Sequence, residues 1–151
     1  MINNNYKIKT FYTLIFWLFF IYLLFTTGCT SSVPLNDENQ ITQQINKYFQ
    51  AINSVNQEKA LSCTIPKGAA YEATNKFFNT KVPLAEQKNT QYLYSFEIQS
   101  IEINDDFARV HLTYSFRLIG FDDMASPTFN DDFTLKRMNG SWLLSTAPLA
   151  S

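Results

Sequence analysis

The strongest constraint on the fold is an uncharged apolar run, residues 11–25, which lies close to the N-terminus and precedes Cys29. Two lysines stand before the run, and two small residues, Thr27 and Gly28, stand just before the cysteine. This order of basic, apolar and small residues is typical of an export signal, which is removed from the mature protein. We therefore predict that residues 1–28 lie outside the folded domain.

A membrane-spanning helix is the competing interpretation of the same segment. Residues 11–28 are all uncharged, and their number is close to the lower end of the roughly 17 to 25 residues that cross a bilayer. The position of Cys29 favours the export signal, because the chain has only two cysteines and one of them ends the apolar segment. An uncleaved signal anchor stays open as the alternative.

Thr27, Gly28 and Cys29 resemble the lipobox of bacterial lipoprotein signals. Thr26 departs from that pattern, since the family usually has leucine three residues before the cysteine. The resemblance implies that Cys29 is the lipid attachment site, that residues 29–36 form a lipid-anchored tether, and that membrane lipid is a partner of the chain. It also implies a location in the bacterial cell envelope, facing the periplasm or the exterior. Thr30, which follows the cysteine, is compatible with sorting to the outer membrane.

The composition outside this leader excludes several classes of function. Without the two leader lysines the chain has 10 basic and 13 acidic residues, and this net charge of −3 argues against a basic face that binds nucleic acid. One histidine, two cysteines and four glycines offer little material for a zinc site, a disulfide framework or a phosphate-binding loop. We predict no metal, no cofactor and no nucleic-acid partner.

Apolar residues at helical spacing follow the tether. Asp37 with Gln40 predicts the N-cap of a first helix. Its core-facing stripe recurs at steps of three and four residues and comprises Ile41, Ile45, Phe49, Ile52 and Val55. We expect a short second helix over residues 58–63 and a third over residues 69–79. The buried stripe of the third helix comprises Ala70, Ala73, Phe77 and Phe78.

Beyond Pro83 the apolar residues alternate with polar ones, which predicts strands. A phase slip at residues 99–100 indicates a β-bulge in the first strand, and residues 105–106 form the turn to the second. Two independent phase arguments give one register. The predicted partners are Ile103 with Ala108, Ile101 with Val110, Glu102 with Arg109, Ile98 with Leu112, Phe96 with Tyr114, and Tyr94 with Phe116.

Asn139 and Gly140 give the strongest hairpin signal in the chain, because both central residues of a type I′ turn need positive φ. The predicted partners across this turn are Leu135 with Leu144, Phe133 with Thr146, and Arg137 with Trp142. The last pair would stack a guanidinium group on an indole ring.

The chain resembles the nuclear transport factor 2-like superfamily of SnoaL-like and cystatin-like cones, in its three helices followed by the segments SIEINDDFARVHLTY and NDDFTLKRMNGSWLLS. The resemblance implies an α+β domain, residues 37–151, whose N-terminal helices pack on the concave face of a curved four-stranded antiparallel sheet, preceded by an apolar signal helix. That family includes ketosteroid isomerase, scytalone dehydratase and non-catalytic envelope proteins. The chain departs from it at residues 64–68, which are too few for the extra hairpin that members commonly carry.

The candidate site is a carboxylate beside tyrosines on the concave face. Strand parity places Asp131 inward, where an apolar environment would raise its pKa and make it a general base. The candidate proton donors and ligand-binding residues are Tyr48, Tyr71 and Tyr114. The alternative interpretation places Asp131 at the solvated start of a strand. We expect His111 on the polar outer face and Cys63 in the core, both without a chemical role.

These observations leave three hypotheses for the function. The first is a lipid-anchored envelope protein whose domain binds a partner protein or an apolar ligand without catalysis. The second is a cavity enzyme of isomerase or dehydratase type that uses Asp131 as its base. The third is an anchored subunit of a secretion or conjugation apparatus. We expect a monomer, because the outer face is polar through Arg109, His111, Arg117 and Lys136.

Overall fold

The computed structural model describes residues 36–120 and 126–147. The helices in these ranges are α1 (Asp37–Asn53), α2 (Gln57–Leu61) and α3 (Ala69–Gln87), and the strands are β1 (Gln91–Asn104), β2 (Phe107–Ile119), β3 (Thr128–Met138) and β4 (Ser141–Thr146). The predicted α+β class is confirmed. Within the described ranges no helix is long and apolar enough to cross a membrane. The predicted signal segment and Cys29 lie outside the described residues.

Helix α1 supplies one wall of the core. Its predicted stripe is confirmed at Ile41, Ile45, Phe49 and Ile52, which are at most 1% exposed. The prediction is wrong for Val55, because the helix ends before this residue and its side chain is 39% exposed. The N-cap is Asn36 rather than Asp37, since the Asn36 side chain accepts the N–H of Asn39 at 2.9 Å.

Helix α3 is longer than the sequence predicted and continues through Pro83. Proline lacks the N–H that would bond to the carbonyl of Asn79, and for this reason it usually ends a helix. Here both Pro83 and Asn79 are exposed, so water can satisfy that carbonyl. The buried face of α3 comprises Ala70, Thr74, Phe77, Phe78 and Ala85. The predicted Ala73 is only half-buried.

The sheet is an antiparallel meander in the order β1-β2-β3-β4. All six predicted pairs between β1 and β2 are observed. The register shifts between Ile98 and Ser100, where the bulge was expected. This extra residue lets Ile98 and Ile101 face the same, concave side of the sheet.

The β3–β4 hairpin turns through two residues of positive φ, Asn139 at 52° and Gly140 at 78°, as predicted. The guanidinium carbon of Arg137 lies 4.7 Å from the ring centre of Trp142, which confirms the predicted stack. The same guanidinium donates to the carboxylate of Asp37. The indole N–H of Trp142 donates to Asp37 at 3.3 Å. The first residue of α1 is therefore tied to one end of the sheet.

Only part of the predicted β3–β4 register is confirmed. Leu135 pairs with Leu144, but the predicted pair of Phe133 with Thr146 is wrong, because Thr146 pairs with Thr134. A register irregularity between Thr134 and Leu135 causes the difference. Phe133 and Leu135 both remain fully buried.

The two edges of the sheet differ. The connection between α2 and α3 covers β4, where Leu144 donates its N–H to the Cys63 carbonyl and accepts the N–H of Ile65, both at 2.9 Å. At β1 the side-chain amide of Asn53 bonds to the N–H and the carbonyl of Tyr94, at 2.7 and 2.8 Å. Beyond Tyr94 no other described segment bonds to the outer edge of β1.

Candidate functional site

Asp131 on β3 and Tyr114 on β2 meet on the concave side of the sheet. The Tyr114 hydroxyl donates to Oδ2 of Asp131 at 3.1 Å. Tyr114 is 2% exposed and Asp131 is half-buried. Burial raises the pKa of the Tyr114 phenol above its ordinary value, and the hydrogen bond to Asp131 raises it further. The phenol therefore stays protonated and acts as a hydrogen-bond donor to the carboxylate.

Aromatic rings fill the space around this pair. Tyr114 stacks on Phe129 with ring centres 5.2 Å apart and meets Phe133 edge-on at 6.2 Å. Phe49 of α1 stacks on Phe96 at 4.4 Å. Phe49 and Phe133 are at most 1% exposed. The concave face at these positions is packed core.

The structure does not bring the other two candidate tyrosines to Asp131. The hydroxyl of Tyr48 bonds to Oγ1 of Thr74 at 2.8 Å, and Thr74 donates to the Ala70 carbonyl at 2.7 Å. Tyr48 is therefore the donor in its own bond, and burial raises its pKa above the ordinary value. Tyr71 is half-buried, and no hydrogen bond or ring contact within the described ranges links it to Asp131.

The single histidine and the described cysteine occupy structural positions. His111 lies on the outer face with Nδ1 2.9 Å from Oδ1 of Asp132, and Arg109 approaches the other carboxylate oxygen at 3.8 Å. Cys63 is buried and its thiol donates to the Lys59 carbonyl at 3.3 Å. Burial raises the pKa of the Cys63 thiol, which disfavours a reactive thiolate. In the described part of the chain no cluster of three histidine, cysteine or acidic residues could hold a metal ion.

An open depression of about 310 Å³ is lined by Tyr114, Phe96, Glu97 and Thr128, among others. Two further surface depressions lie away from the Tyr114–Asp131 pair. One, of about 160 Å³, lies where α1 and α3 end and β1 begins, and it is lined by Ile52, Val55, Val82, Ala85 and Tyr92, among others. The other, wide and open at about 560 Å³, lies beside the β1–β2 turn and is lined by Glu102, Ile103, Asn104, Phe107 and Arg109, among others. Asp131 lines neither of them.

Sequence reasoning missed the open outer edge of β1 and the side-chain cap at its start. Asn53 is a polar residue at the end of an amphipathic helix, and nothing in its local sequence indicates a partner 41 residues away. The order of the strands was the available signal, because a four-stranded meander leaves its first and last strands at the edges.

Solved structures show which fold this geometry belongs to. A nuclear transport factor 2-like protein of unknown function from Shewanella oneidensis aligns at 12% identity with a TM-score of 0.57, over 72% of this chain and 93% of that one. A protein of unknown function with a cystatin-like fold from Nostoc punctiforme aligns at 15% identity with a TM-score of 0.56, over 72% of this chain and 86% of that one. A ketosteroid isomerase-like protein from Erwinia carotovora atroseptica aligns at 14% identity with a TM-score of 0.55, over 73% of this chain and 92% of that one.

The described domain therefore has the nuclear transport factor 2-like fold, as the sequence resemblance implied. No family model matches the chain, and no curated protein matches it. Identities of 12 to 15% establish a shared fold and nothing about a shared activity.

Proposed function

We propose that this chain is a lipoprotein of the bacterial cell envelope, anchored through acylated Cys29, and that its domain binds a partner protein without catalysis. The lipobox-like order of Thr27, Gly28 and Cys29 supports the anchor. A tether from Cys29 to Asn36 spans at most about 25 Å when extended, so the domain would work close to the membrane surface. A subunit of a secretion or conjugation apparatus would be one case of such a protein.

The filled concave face supports a non-catalytic role. Small-molecule sites are usually clefts of several hundred Å³ that enclose most of the ligand. Here the rings of Phe49, Tyr114 and Phe133 pack against one another and are at most 2% exposed. We therefore expect binding at the outer surfaces, where a protein partner fits better than a small apolar ligand.

A proton-transfer enzyme with Asp131 as its base is the second candidate, because a tyrosine donor lies 3.1 Å from this carboxylate. A base and a donor of this kind can move a proton next to a carbonyl group. However, the Tyr114 hydroxyl donates directly to Asp131, and a substrate would have to break this bond to reach either group. For this reason the non-catalytic function comes first.

Metabolic labelling with a fatty acid tests the anchor. We expect the wild-type chain to retain the label and Cys29→Ala to lose it. The matched control is Cys63→Ala, which removes the other cysteine from a buried position and should keep full labelling. Equal labelling of the wild type and Cys29→Ala would reject lipidation at Cys29.

Deuterium incorporation at the carbon next to a carbonyl tests the enzyme candidate. The purified chain is incubated in D₂O with a panel of small cyclic ketones, and exchange is followed by NMR. A non-catalytic domain gives equal rates for the wild type, Asp131→Asn and buffer. A general base contributes about 10²- to 10⁴-fold, so a comparable loss in Asp131→Asn would favour the enzyme instead.

A further inference from the structure

Within residues 36–120 and 126–147, the outer edge of β1 is capped only at its beginning. Asn53 occupies the outward N–H and carbonyl of Tyr94, and the side chain of Gln91 donates to the Asn53 carbonyl at 2.7 Å. From Phe96 to Asn104 no described group outside the sheet bonds to the backbone of β1. With respect to the described residues, about nine residues of strand are therefore open along this edge.

The backbone groups that point outward follow from the Asn53 cap. In an antiparallel pair, residues bonded to the neighbouring strand alternate with residues whose N–H and carbonyl point away from it. Tyr94 points away from β2, so the alternation and the bulge give the same direction to Phe96, Ile98, Ile101 and Ile103. The opposite end agrees, because Asn104 and Phe107 flank the two-residue turn and belong to a bonded pair.

The side chains of these four residues form an incompletely covered apolar row. Tyr94, under the cap, is 4% exposed, whereas Phe96, Ile98 and Ile101 are half-buried and Ile103 is 38% exposed. Their partners on β2 are fully covered: Ala108, Val110, Leu112 and Tyr114 are at most 4% exposed. Apolar side chains and unpaired backbone groups thus lie along the same edge.

We propose that the edge of β1 from Phe96 to Ile103 receives an extended segment of a partner protein, which adds to the sheet as a fifth strand. This inference rests on the partner-binding function proposed above and does not depend on the lipid anchor. Backbone hydrogen bonds supply the affinity in this mode of recognition, and alternate side chains supply the specificity. Apolar residues of the partner cover the row on the concave side.

The charge of β1 defines the other face of the partner segment. The only charged residues of β1 are Glu97 and Glu102, which point to the outer face, and the strand has no basic residue. A strand that places lysine or arginine beside them gains cross-strand attraction. The partner segment therefore alternates apolar with basic or uncharged residues. The two glutamates and the bulge also discourage unspecific edge pairing.

A second copy of this chain is a poorer occupant, because the registers that centre on Glu97 or Glu102 oppose glutamates. When residues 96–98 of two antiparallel copies bond to each other, Glu97 lies opposite its own counterpart. When residues 101–103 bond to each other, Glu102 does the same, and mixed pairing sets Glu97 opposite Glu102. Like charges directly opposite each other destabilise a strand pair. Charge complementarity favours a basic partner.

The probe is a synthetic peptide of about eight residues, a common strand length, in which valine and lysine alternate. It is titrated into the full-length chain in non-ionic detergent, and hydrogen exchange locates the bound edge. We expect slower exchange at the amides of Ile98 and Ile101, and at least tenfold weaker binding of the same peptide with glutamate in place of lysine. Protection at other amides, or equal binding of both peptides, would overturn the proposal.

Two variants and one control variant separate strand addition from general attraction. Ile101→Pro removes an outward N–H, which an edge strand tolerates, and should abolish binding. Glu97→Lys retains the fold and should weaken binding of the basic peptide about fivefold or more, whereas Glu72→Lys, the same charge change on α3, should leave it unchanged. Unaltered binding by Glu97→Lys contradicts the proposal. So does slow exchange at Ile98 and Ile101 that depends on protein concentration without peptide, since it identifies a second copy.

The anchor and the edge fail separately. If the wild-type chain takes up no fatty-acid label, the lipoprotein assignment is rejected and the peptide result is unaffected. Absence of peptide binding in a labelled chain would remove strand addition and leave the anchor in place.

Discussion

The two edges of the sheet are finished in different ways. At β4, a strand of six residues, backbone groups of Cys63 and Ile65 bond to both backbone groups of the central Leu144, whose side chain is fully buried. At β1 a single side chain, Asn53, caps Tyr94, and the inward side chains beyond it are less covered, with Ile103 38% exposed. The β4 edge is thus held by the backbone of the chain, whereas β1 has outward backbone groups to which no described residue bonds. The difference teaches that a small sheet can be stabilised on one side and left adaptable on the other.

The largest expected effect comes from matched truncations at the two edges. Leu144→Ala should lower the free energy of unfolding by about 2 to 5 kcal/mol, because it leaves a cavity in packed core. Ile103→Ala at the open edge should cost less than about 1 kcal/mol, because its side chain is already partly hydrated. Urea unfolding measures both. Equal losses would remove the distinction between the edges.

Asn53→Ala should enlarge the open edge. It leaves the N–H and the carbonyl of Tyr94 without their partner, at a cost of about 1 to 3 kcal/mol. Asn53→Asp is the matched variant, since it keeps an acceptor for the N–H but sets a carboxylate against the carbonyl. We expect faster amide exchange at Tyr94 in Asn53→Ala than in Asn53→Asp. Unchanged exchange in both variants would show that another group covers Tyr94.

Alkaline pH should lower the free energy of unfolding of the domain, because three buried tyrosines lie on α1, β1 and β2. Burial raises the pKa of Tyr48, Tyr94 and Tyr114 in the folded protein above the ordinary value of 10.0. The unfolded chain then loses protons first as the pH rises through 10, so stability present below pH 10 is lost above it. Tyr48 alone should cost on the order of 1 kcal/mol at pH 11.

Urea unfolding at pH 9, 10 and 11 measures this loss, with Tyr48→Phe as the control. The variant lacks one buried phenol, so its stability should fall less steeply with pH than that of the wild type. Parallel curves for the two proteins would show that Tyr48 does not contribute.

The smallest expected effect is a gain in stability beside the capped start of β1. Val55 follows α1 with φ of 52°, a left-handed conformation that disfavours β-branched residues, while the Asn56 N–H bonds to the Ala51 carbonyl at 2.9 Å. Val55→Gly should stabilise the domain by about 0.5 to 1 kcal/mol, measured as a higher urea midpoint. Val55→Ala keeps the strain and should give no such gain.

The sequence predicted the β1–β2 hairpin well because two constraints agree there. Alternation fixes the faces, and the slip near Gln99 fixes the bulge, so one register satisfies both. The pair of Phe133 with Thr146 failed because the irregularity beside Thr134 has no such phase slip in the sequence. The turn at Asn139 and Gly140 fixed the register only as far as Leu135 and Leu144, before the irregularity.

Long-range contacts were the part that sequence could not supply. Asp37 has good N-cap chemistry, yet its carboxylate binds Arg137, 100 residues away, and Asn36 takes the cap. Parity alone placed Asp131 on the inner face, and the structure adds its contact with Tyr114. The sequence did not indicate that the Tyr48 hydroxyl would bond to Thr74, since this contact depends on how two helices pack.

The contact of Asp37 with Arg137 and Trp142 has a mechanical consequence. A pull on the chain at Asn36 reaches the next residue and passes through its carboxylate into the β3–β4 hairpin. A load applied there would be shared by the backbone hydrogen bonds between β3 and β4, instead of falling on the first turn of α1 alone.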